Sequence, residues 1–224
     1  MTRTAPLLAA LTLAACQQEA APPSAPASAP PAAALAPPPA APAPAPPQAS
    51  DDWRGYAKPE DADRLKRMDA AWAMGLGKAR EAGHGAELET LGALADPKGK
   101  VLAGPHPAPG DYRCRTFKLG GSLGFISYPW FRCRVELTPG GDLRLIKLTG
   151  SQRTEGSFYP DEERRLVYLG AQAWGSDETR ASRYGDDPKR DQIGVLERVG
   201  DQRWRLVLPW PRLESDLDLV ELAR

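Results

Sequence analysis

The sequence predicts a mainly β domain with N-terminal helices. About eight antiparallel strands form a small β-barrel, with a two-sheet sandwich as the alternative, and one or two α-helices precede them. Three observations carry this prediction. All aromatic residues of the 224-residue chain lie after position 50, as do all charged residues except Arg3 and Glu19, so the folding unit is residues 51–224. Within that unit the apolar period is close to 3.6 at first and becomes 2 after about residue 110. The alternating runs are short and separated by Gly, Pro and Asp turns, at the spacing of an all-β fold. The unit is large enough for one core and too small for two ordinary domains. Closure removes exposed strand edges, which favours the barrel.

Residues 1–15 read as a signal peptide. Arg3 precedes a short apolar run from Ala5 to Ala15, and the run is well below the ~20 residues that span a bilayer. It ends in Leu13-Ala14-Ala15-Cys16, which resembles the lipobox of bacterial lipoproteins. That resemblance implies a lipidated Cys16, and Gln17 after it implies the outer membrane. The expected location is the cell envelope, at the periplasmic face of the outer membrane, with the membrane as a partner through the lipid anchor. Residues 16–50 read as the lipidated cysteine and a disordered stalk rich in Pro and Ala. Twelve of the 24 prolines fall there, and proline continues neither a helix nor a sheet ladder.

The folded part opens on a helix start at Lys58-Pro59-Glu60-Asp61, with proline in the first turn and acids opposing the helix dipole. Leu65, Met68, Trp72, Leu76 and Ala79 make an apolar stripe that runs until Gly83. A second short helix covers 86–94. The Gly- and Pro-rich connector 104–110 follows. Strands are expected at 112–119, 131–138, 143–149, 152–158, 166–171, 192–199, 203–208 and 217–222. Pro139-Gly140-Gly141-Asp142 is a tight turn, and Tyr159-Pro160-Asp161 reads as a type I turn. Gly200-Asp201 reads as a type II′ hairpin turn. Counting back from it pairs Glu197 with Trp204, Val195 with Leu206 and Ile193 with Leu208 on a core face.

Cys114 and Cys133 each sit in Arg-Cys-Arg on successive strands. An envelope compartment permits a disulfide, and opposed positions on a hairpin lie within bridging distance. Two free buried thiols are the alternative. The bridge places Tyr112, Cys114, Thr116, Phe131, Cys133, Val135 and Leu137 on one face. Arg113, Arg115, Arg132 and Arg134 then share the other. Four guanidiniums on one patch are a candidate anion-binding set for carboxylate, phosphate or glycan. The competing reading is a solvated outer face.

Other motifs are weak. Gly120-Gly121-Ser122-Leu123-Gly124 matches a nucleophile-elbow pattern, but it lies between strands and both histidines precede it. Two histidines and two further cysteines in unrelated contexts make no zinc site, and the acids between 177 and 191 lack calcium-loop spacing. No cofactor fingerprint occurs. The formal net charge is zero, which argues against nucleic acid as a partner.

The strings Gly110-Asp111-Tyr112-Arg113-Cys114-Arg115, Phe131-Arg132-Cys133-Arg134, and Lys147-Leu148-Thr149-Gly150-Ser151-Gln152-Arg153-Thr154 form a specific series. It continues with Tyr184-Gly185-Asp186, Arg190-Asp191-Gln192-Ile193-Gly194 and Arg203-Trp204-Arg205-Leu206-Val207. Together they resemble domain-of-unknown-function family 4893, a family of secreted Gram-negative proteins. The resemblance implies a single domain and an envelope location, and it supplies no mechanism. The expected function is a non-catalytic ligand-binding or assembly module. A small ligand, lipid or glycan would sit in the barrel interior, lined by Glu197, Trp204 and Tyr168. The alternative is a carboxylate-dependent hydrolase acting on envelope glycan. The sequence points to no particular protein partner.

Overall fold

A computed structural model describes residues 52–224; the expected signal peptide, Cys16 and the expected stalk lie outside the described residues. After a 3-10 turn at Trp53–Gly55 come three helices: α1 (Pro59–Lys66), α2 (Met68–Glu81) and α3 (Gly85–Leu91). A second 3-10 turn, Gly92–Leu94, ends the helical part. The strands are β1 (Gly110–Gly120), β2 (Gly124–Ser127), β3 (Phe131–Leu137), β4 (Leu143–Lys147) and β5 (Arg153–Glu162). They continue with β6 (Arg165–Ala173), β7 (Asp191–Gly200), β8 (Arg203–Pro209) and β9 (Leu217–Ala223).

All pairings in the sheet are antiparallel. Strands β1, β3, β4, β5, β6, β7, β8 and β9 follow one another, and β9 pairs back to β1, closing an eight-stranded barrel. The ninth strand, β2, extends the far end of β1 as a hairpin. It occupies part of the expected glycine-rich loop, so Ser122 lies in a strand-to-strand turn.

The single helix expected over the first stripe is two helices, broken at Arg67 (φ −93°, ψ 19°). The break lets one stripe serve two parts of the outer wall. Ala62 and Leu65 of α1 pack with Trp53 against Val167, Leu169 and Ile193 of β6 and β7. Trp72, Leu76 and Ala79 of α2 pack against Phe117, Leu119, Leu217 and Leu219 of β1 and β9. Gly75 permits the close approach, since a Cβ there would stand 3.0 Å from Leu217 Cβ.

The inside of the barrel is a separate apolar cluster. It includes Tyr112, Cys114, Cys133, Val135, Leu145, Phe158, Leu166, Tyr168, Leu196, Trp204, Leu206, Val220 and Leu222. This middle layer is solid, as side-chain-filled small barrels are.

Two registers differ from the sequence expectation. The turn after β5 falls three residues later than Tyr159-Pro160-Asp161. Strand β5 runs on to Glu162, with a register shift between Pro160 and Glu162. Proline is tolerated there because β4 pairs with β5 only as far as Phe158, leaving that side of Pro160 without a ladder. The second difference lies in the β7–β8 hairpin. A register shift between Arg198 and Gly200 makes Val199 an extra residue, and one extra residue exchanges the two faces. Arg198 therefore pairs with Trp204 and Leu196 with Leu206, while Glu197 pairs with Arg205. Glu197 is on the outer face, where its Oε2 accepts from Arg205 Nε at 2.6 Å. It lines no interior cavity, and its expected place belongs to Arg198.

Candidate functional site

The inward positions change character along the barrel. On β4 they read Leu143, Leu145, Lys147; on β1, Tyr112, Cys114, Thr116, Lys118. On β9, read backwards, they are Leu222, Val220 and Asp218. Gln172 lies near the end of β6, and Gln192 and Thr154 near the starts of β7 and β5, on the same side. Six strands thus bring Thr116, Lys118, Lys147, Thr154, Gln172, Gln192 and Asp218 to one end. Lys118, Lys147, Thr154, Gln192 and Asp218 are buried there. This polar end is the candidate site.

Its floor is a fixed network. Thr154 Oγ1 lies 2.5 Å from the Tyr168 hydroxyl and donates to Gln192 Oε1 at 2.5 Å. Tyr168 is fully buried, and burial pushes its hydroxyl pKa well above the ordinary value. Above it, Lys118 Nζ lies 3.3 Å from both Asp218 Oδ2 and Glu214 Oε2. Burial raises the Asp218 carboxyl pKa, against the pull of Lys118 and the Ser215 hydroxyl. Lys147 Nζ donates to the Gln152 carbonyl at 2.7 Å and sits 4.2 Å over the Phe131 ring. Burial, with Lys118 and Arg153 nearby, lowers its pKa to about 8. A cavity of about 70 Å³ lies among Thr116, Lys118, Tyr128, Phe131, Lys147 and Gln172.

A larger cleft adjoins this end on the outside. The segment 174–190 joins β6 to β7 and crosses the outer face of β4 and β5. Both its ends are pinned. Glu178 accepts from Arg190 Nη1 at 2.6 Å and from the Gly175 amide at 3.1 Å, and Arg190 stacks over Trp174 at 4.5 Å. Tyr184 donates to Asp61 Oδ2 at 2.8 Å, and Asp191 Oδ1 accepts from the Gly185 amide at 2.8 Å. Burial raises the pKa of both Tyr184 and Asp191. Arg64 closes this buried cluster onto Asp61 at 2.7 Å.

Between the pins lies a cavity of about 520 Å³, lined by Arg144, Glu155, Tyr159, Arg180, Ser182 and Arg183 among others. A neighbouring one of about 250 Å³ includes Lys147, Arg153, Thr154, Glu155 and Arg180. Glu155 is buried between Arg144 and Arg180, the latter at 2.8 Å. Three arginines thus face one carboxylate in the larger cavity. Glu155 is the sole acid among the residues lining either cavity, so neither presents the carboxylate pair that glycoside hydrolysis uses.

The arginines singled out by sequence are placed elsewhere. Arg113, Arg115, Arg132 and Arg134 do share the outer face, where three of the four are engaged by local partners. Arg113 and Arg115 both stack on Trp130, at 4.4 and 4.5 Å. Arg115 also holds Glu221 at 2.6 Å, and Arg134 holds Asp111 at 2.7 Å. Cys114 and Cys133 form a disulfide on the inner face, with Cα atoms 5.8 Å apart. They are diagonal rather than directly opposite, because Cys114 pairs with Phe131 and Tyr112 with Cys133.

Trp204 is inside, at the opposite end from the polar layer. It borders a recess of about 240 Å³ with His106, Tyr112, Arg198 and Arg224, and its buried Nε1 lacks a hydrogen-bond partner among the described residues. Tyr168 belongs to the floor of the polar end instead, so the residues expected to line one pocket are divided. No three His, Cys, Asp or Glu side chains gather into a metal-holding group among the described residues. None of the described helices is long and apolar enough to cross a membrane.

The polar end was hidden from sequence reasoning because each of its residues looks ordinary alone. Its signal is a gradient: inward positions turn from apolar to polar toward the same end of several strands. Seeing it requires the direction of every strand in the closed barrel.

Fold and site define a closed antiparallel barrel with helices packed on its outer wall and a polar, cation-rich end. The chain belongs to the family described as Domain of unknown function (DUF4893), whose model matches residues 53–222. No curated protein and no solved structure matches it.

Proposed function

We propose that the domain is a non-catalytic binding module of the cell envelope that holds an elongated anionic ligand in the cleft under segment 174–190. The observation that carries this reading is the charge imbalance of the larger cavity. Arg144, Arg180 and Arg183 line it against Glu155 alone. Guanidiniums around a partly dry concavity favour carboxylate or phosphate groups, which they can grip through two hydrogen bonds at once. The cavity of about 520 Å³ is within the ~300–1,000 Å³ range of small-ligand sites. The solid barrel middle directs a ligand to this cleft rather than to the interior. The Leu13-Ala14-Ala15-Cys16 pattern and the Pro/Ala-rich run after it support a tether through Cys16 on the periplasmic face of the outer membrane. Envelope glycan bearing carboxylates is the ligand class that location favours.

Calorimetry on the full chain tests this with two probes: a peptidoglycan disaccharide-tetrapeptide, which carries carboxylates, and a neutral N-acetylglucosamine oligomer. The charged probe should bind, and affinity should fall at least tenfold in Arg180→Ser/Arg183→Ser. The Arg180 side chain is 66% exposed, so its loss leaves the fold intact. Equal binding of both probes, or full affinity in the double variant, overturns the proposal.

A further inference from the structure

The inner cavity at the polar end shares no lining residue with the larger outer cavity, although Lys147 also borders the smaller one beside it, and its charge is unbalanced in a different way. Lys118 is matched by Asp218 and Glu214. Lys147 is 7% exposed, yet among the described residues its amine has only a backbone carbonyl and an aromatic face as partners. A buried ammonium ordinarily has a carboxylate beside it or gives up its proton. The charged groups that face it are Lys118, Arg153 and Asp218, with Glu214 beyond Lys118. Two cations and one near anion leave the amine in a positive field.

A second observation marks the same rim. The two non-glycine residues with left-handed backbone among the described residues, Trp210 (φ 50°) and Glu214 (φ 68°), both lie in the segment between β8 and β9. Such strain gathers at sites the surrounding structure over-determines. Here it brings the Glu214 carboxylate within reach of both Lys118 and the Gln152 side-chain amide. Glu214 thereby satisfies Lys118 and leaves Lys147 for another anion.

We infer that this inner cavity is a binding site for a single carboxylate group, held by the Lys147 ammonium with the Thr116 hydroxyl and the Gln172 amide as further donors. The charge is what selects the class. One unmatched ammonium in a small cavity of about 70 Å³ calls for one negative charge. A carboxylate supplies it, and the second charge of a phosphate dianion would find Lys118 already matched by Asp218 and Glu214. The bound carboxylate replaces the missing counter-ion and uses the polar layer that six strands converge to build. Binding requires the protonated amine. With the Lys147 pKa lowered to about 8, affinity falls about tenfold per pH unit above that value. By the same linkage, an occupied site holds the proton to higher pH.

Sodium acetate is the probe, with acetamide and phosphate at matched ionic strength as comparisons. In the full chain at pH 7, acetate should raise Tm in a saturable manner, and acetamide should not. The acetate effect should vanish at pH 10 and in Lys147→Met, and persist in Arg180→Ser/Arg183→Ser, which separates this site from the outer cleft. A direct readout guards against an unfolded variant. In wild-type chain labelled with 13C-lysine, one Cε resonance should titrate near pH 8, and acetate should move its midpoint upward. An acetate effect that survives in folded Lys147→Met overturns the inference. So does wild-type protein with no saturable acetate response, or phosphate binding as tight as acetate.

Discussion

The amine of Lys147 loses its hydration on folding and gains no carboxylate in exchange. Its pKa drops to about 8 from the unfolded value of roughly 10.4. Between those values the unfolded chain holds a proton that the folded chain has released. Stability contributed by this group therefore rises with pH through that window, and below pH 8 the full cost is present. At ~1.4 kcal/mol per pH unit the cost is about 3 kcal/mol. Lys147→Met keeps the length of the side chain and removes the charge. It should raise stability at pH 7 by about 2–3 kcal/mol, measured by urea denaturation. The wild type should gain on it between pH 8 and 9.5, a range that stops short of Tyr168 and Tyr184 titration. A variant less stable than wild type at pH 7 would show that the polar layer already neutralises the amine. Arg205 makes the contrast. It too is buried, but its guanidinium reaches Glu197 and the carbonyls of Ala93 and Asp96 at 2.5–2.7 Å. A charge so satisfied pins the helical part to the barrel wall and is not available to a ligand.

At the scale of the elements, the floor of the site depends on two glycines facing each other across β5 and β6. Gly156 pairs with Gly170, and the Tyr168 ring lies against both. A Cβ on Gly156 would fall 2.4 Å from Gly170 Cα, and one on Gly170 would fall 2.2 Å from the Tyr168 hydroxyl. Gly156→Ala meets backbone that cannot yield without parting the strands, and it should cost more than about 3 kcal/mol. Thermal denaturation checks this, and a loss below about 1 kcal/mol would mean that the strands part freely. The alternation of Val, Leu and Tyr made β6 and β7 legible in the sequence, as did Pro139-Gly140-Gly141-Asp142 for the β3–β4 turn. The faces of Cys114 and Cys133 were legible for the same reason, since period 2 needs no knowledge of the partner. The bulge at Val199 was not legible. Nothing in Arg198-Val199-Gly200 distinguishes a two-residue turn at Gly200 from one at Asp201-Gln202. The one-residue difference moved Glu197 from the core to the outer wall. The break at Arg67 was hidden in the same way, because one stripe can serve a straight helix or two bent ones. The arginines of the outer cleft lie on β4, β5 and a segment with no periodicity, so only the path of 174–190 brings them together.

Across the whole molecule, closure and the disulfide meet on one strand: closure pairs β1 with β9, and the disulfide joins β1 to β3. β1 pairs with β3 near its beginning, and with β9 along most of its length. The β2 hairpin and the chain to β3 lie between the two cysteines, at a sequence separation of 19. A cross-link over a loop of that length removes about 3 kcal/mol of unfolded-chain entropy, while the native barrel already holds the two strands together through its ladder. The disulfide therefore adds stability without being needed to define the topology. Cys114→Ala/Cys133→Ala should lower the unfolding free energy by at least about 3 kcal/mol, with two small voids in the inner cluster adding to the entropic loss. The far-ultraviolet circular dichroism of the folded state should stay unchanged. Denaturant titration of the variant beside the wild type checks both statements. A folded variant whose midpoint equals that of the wild type would show that the unfolded chain already keeps β1 and β3 close. Loss of the β signal in native buffer would show instead that the ladder cannot close the barrel without the bridge.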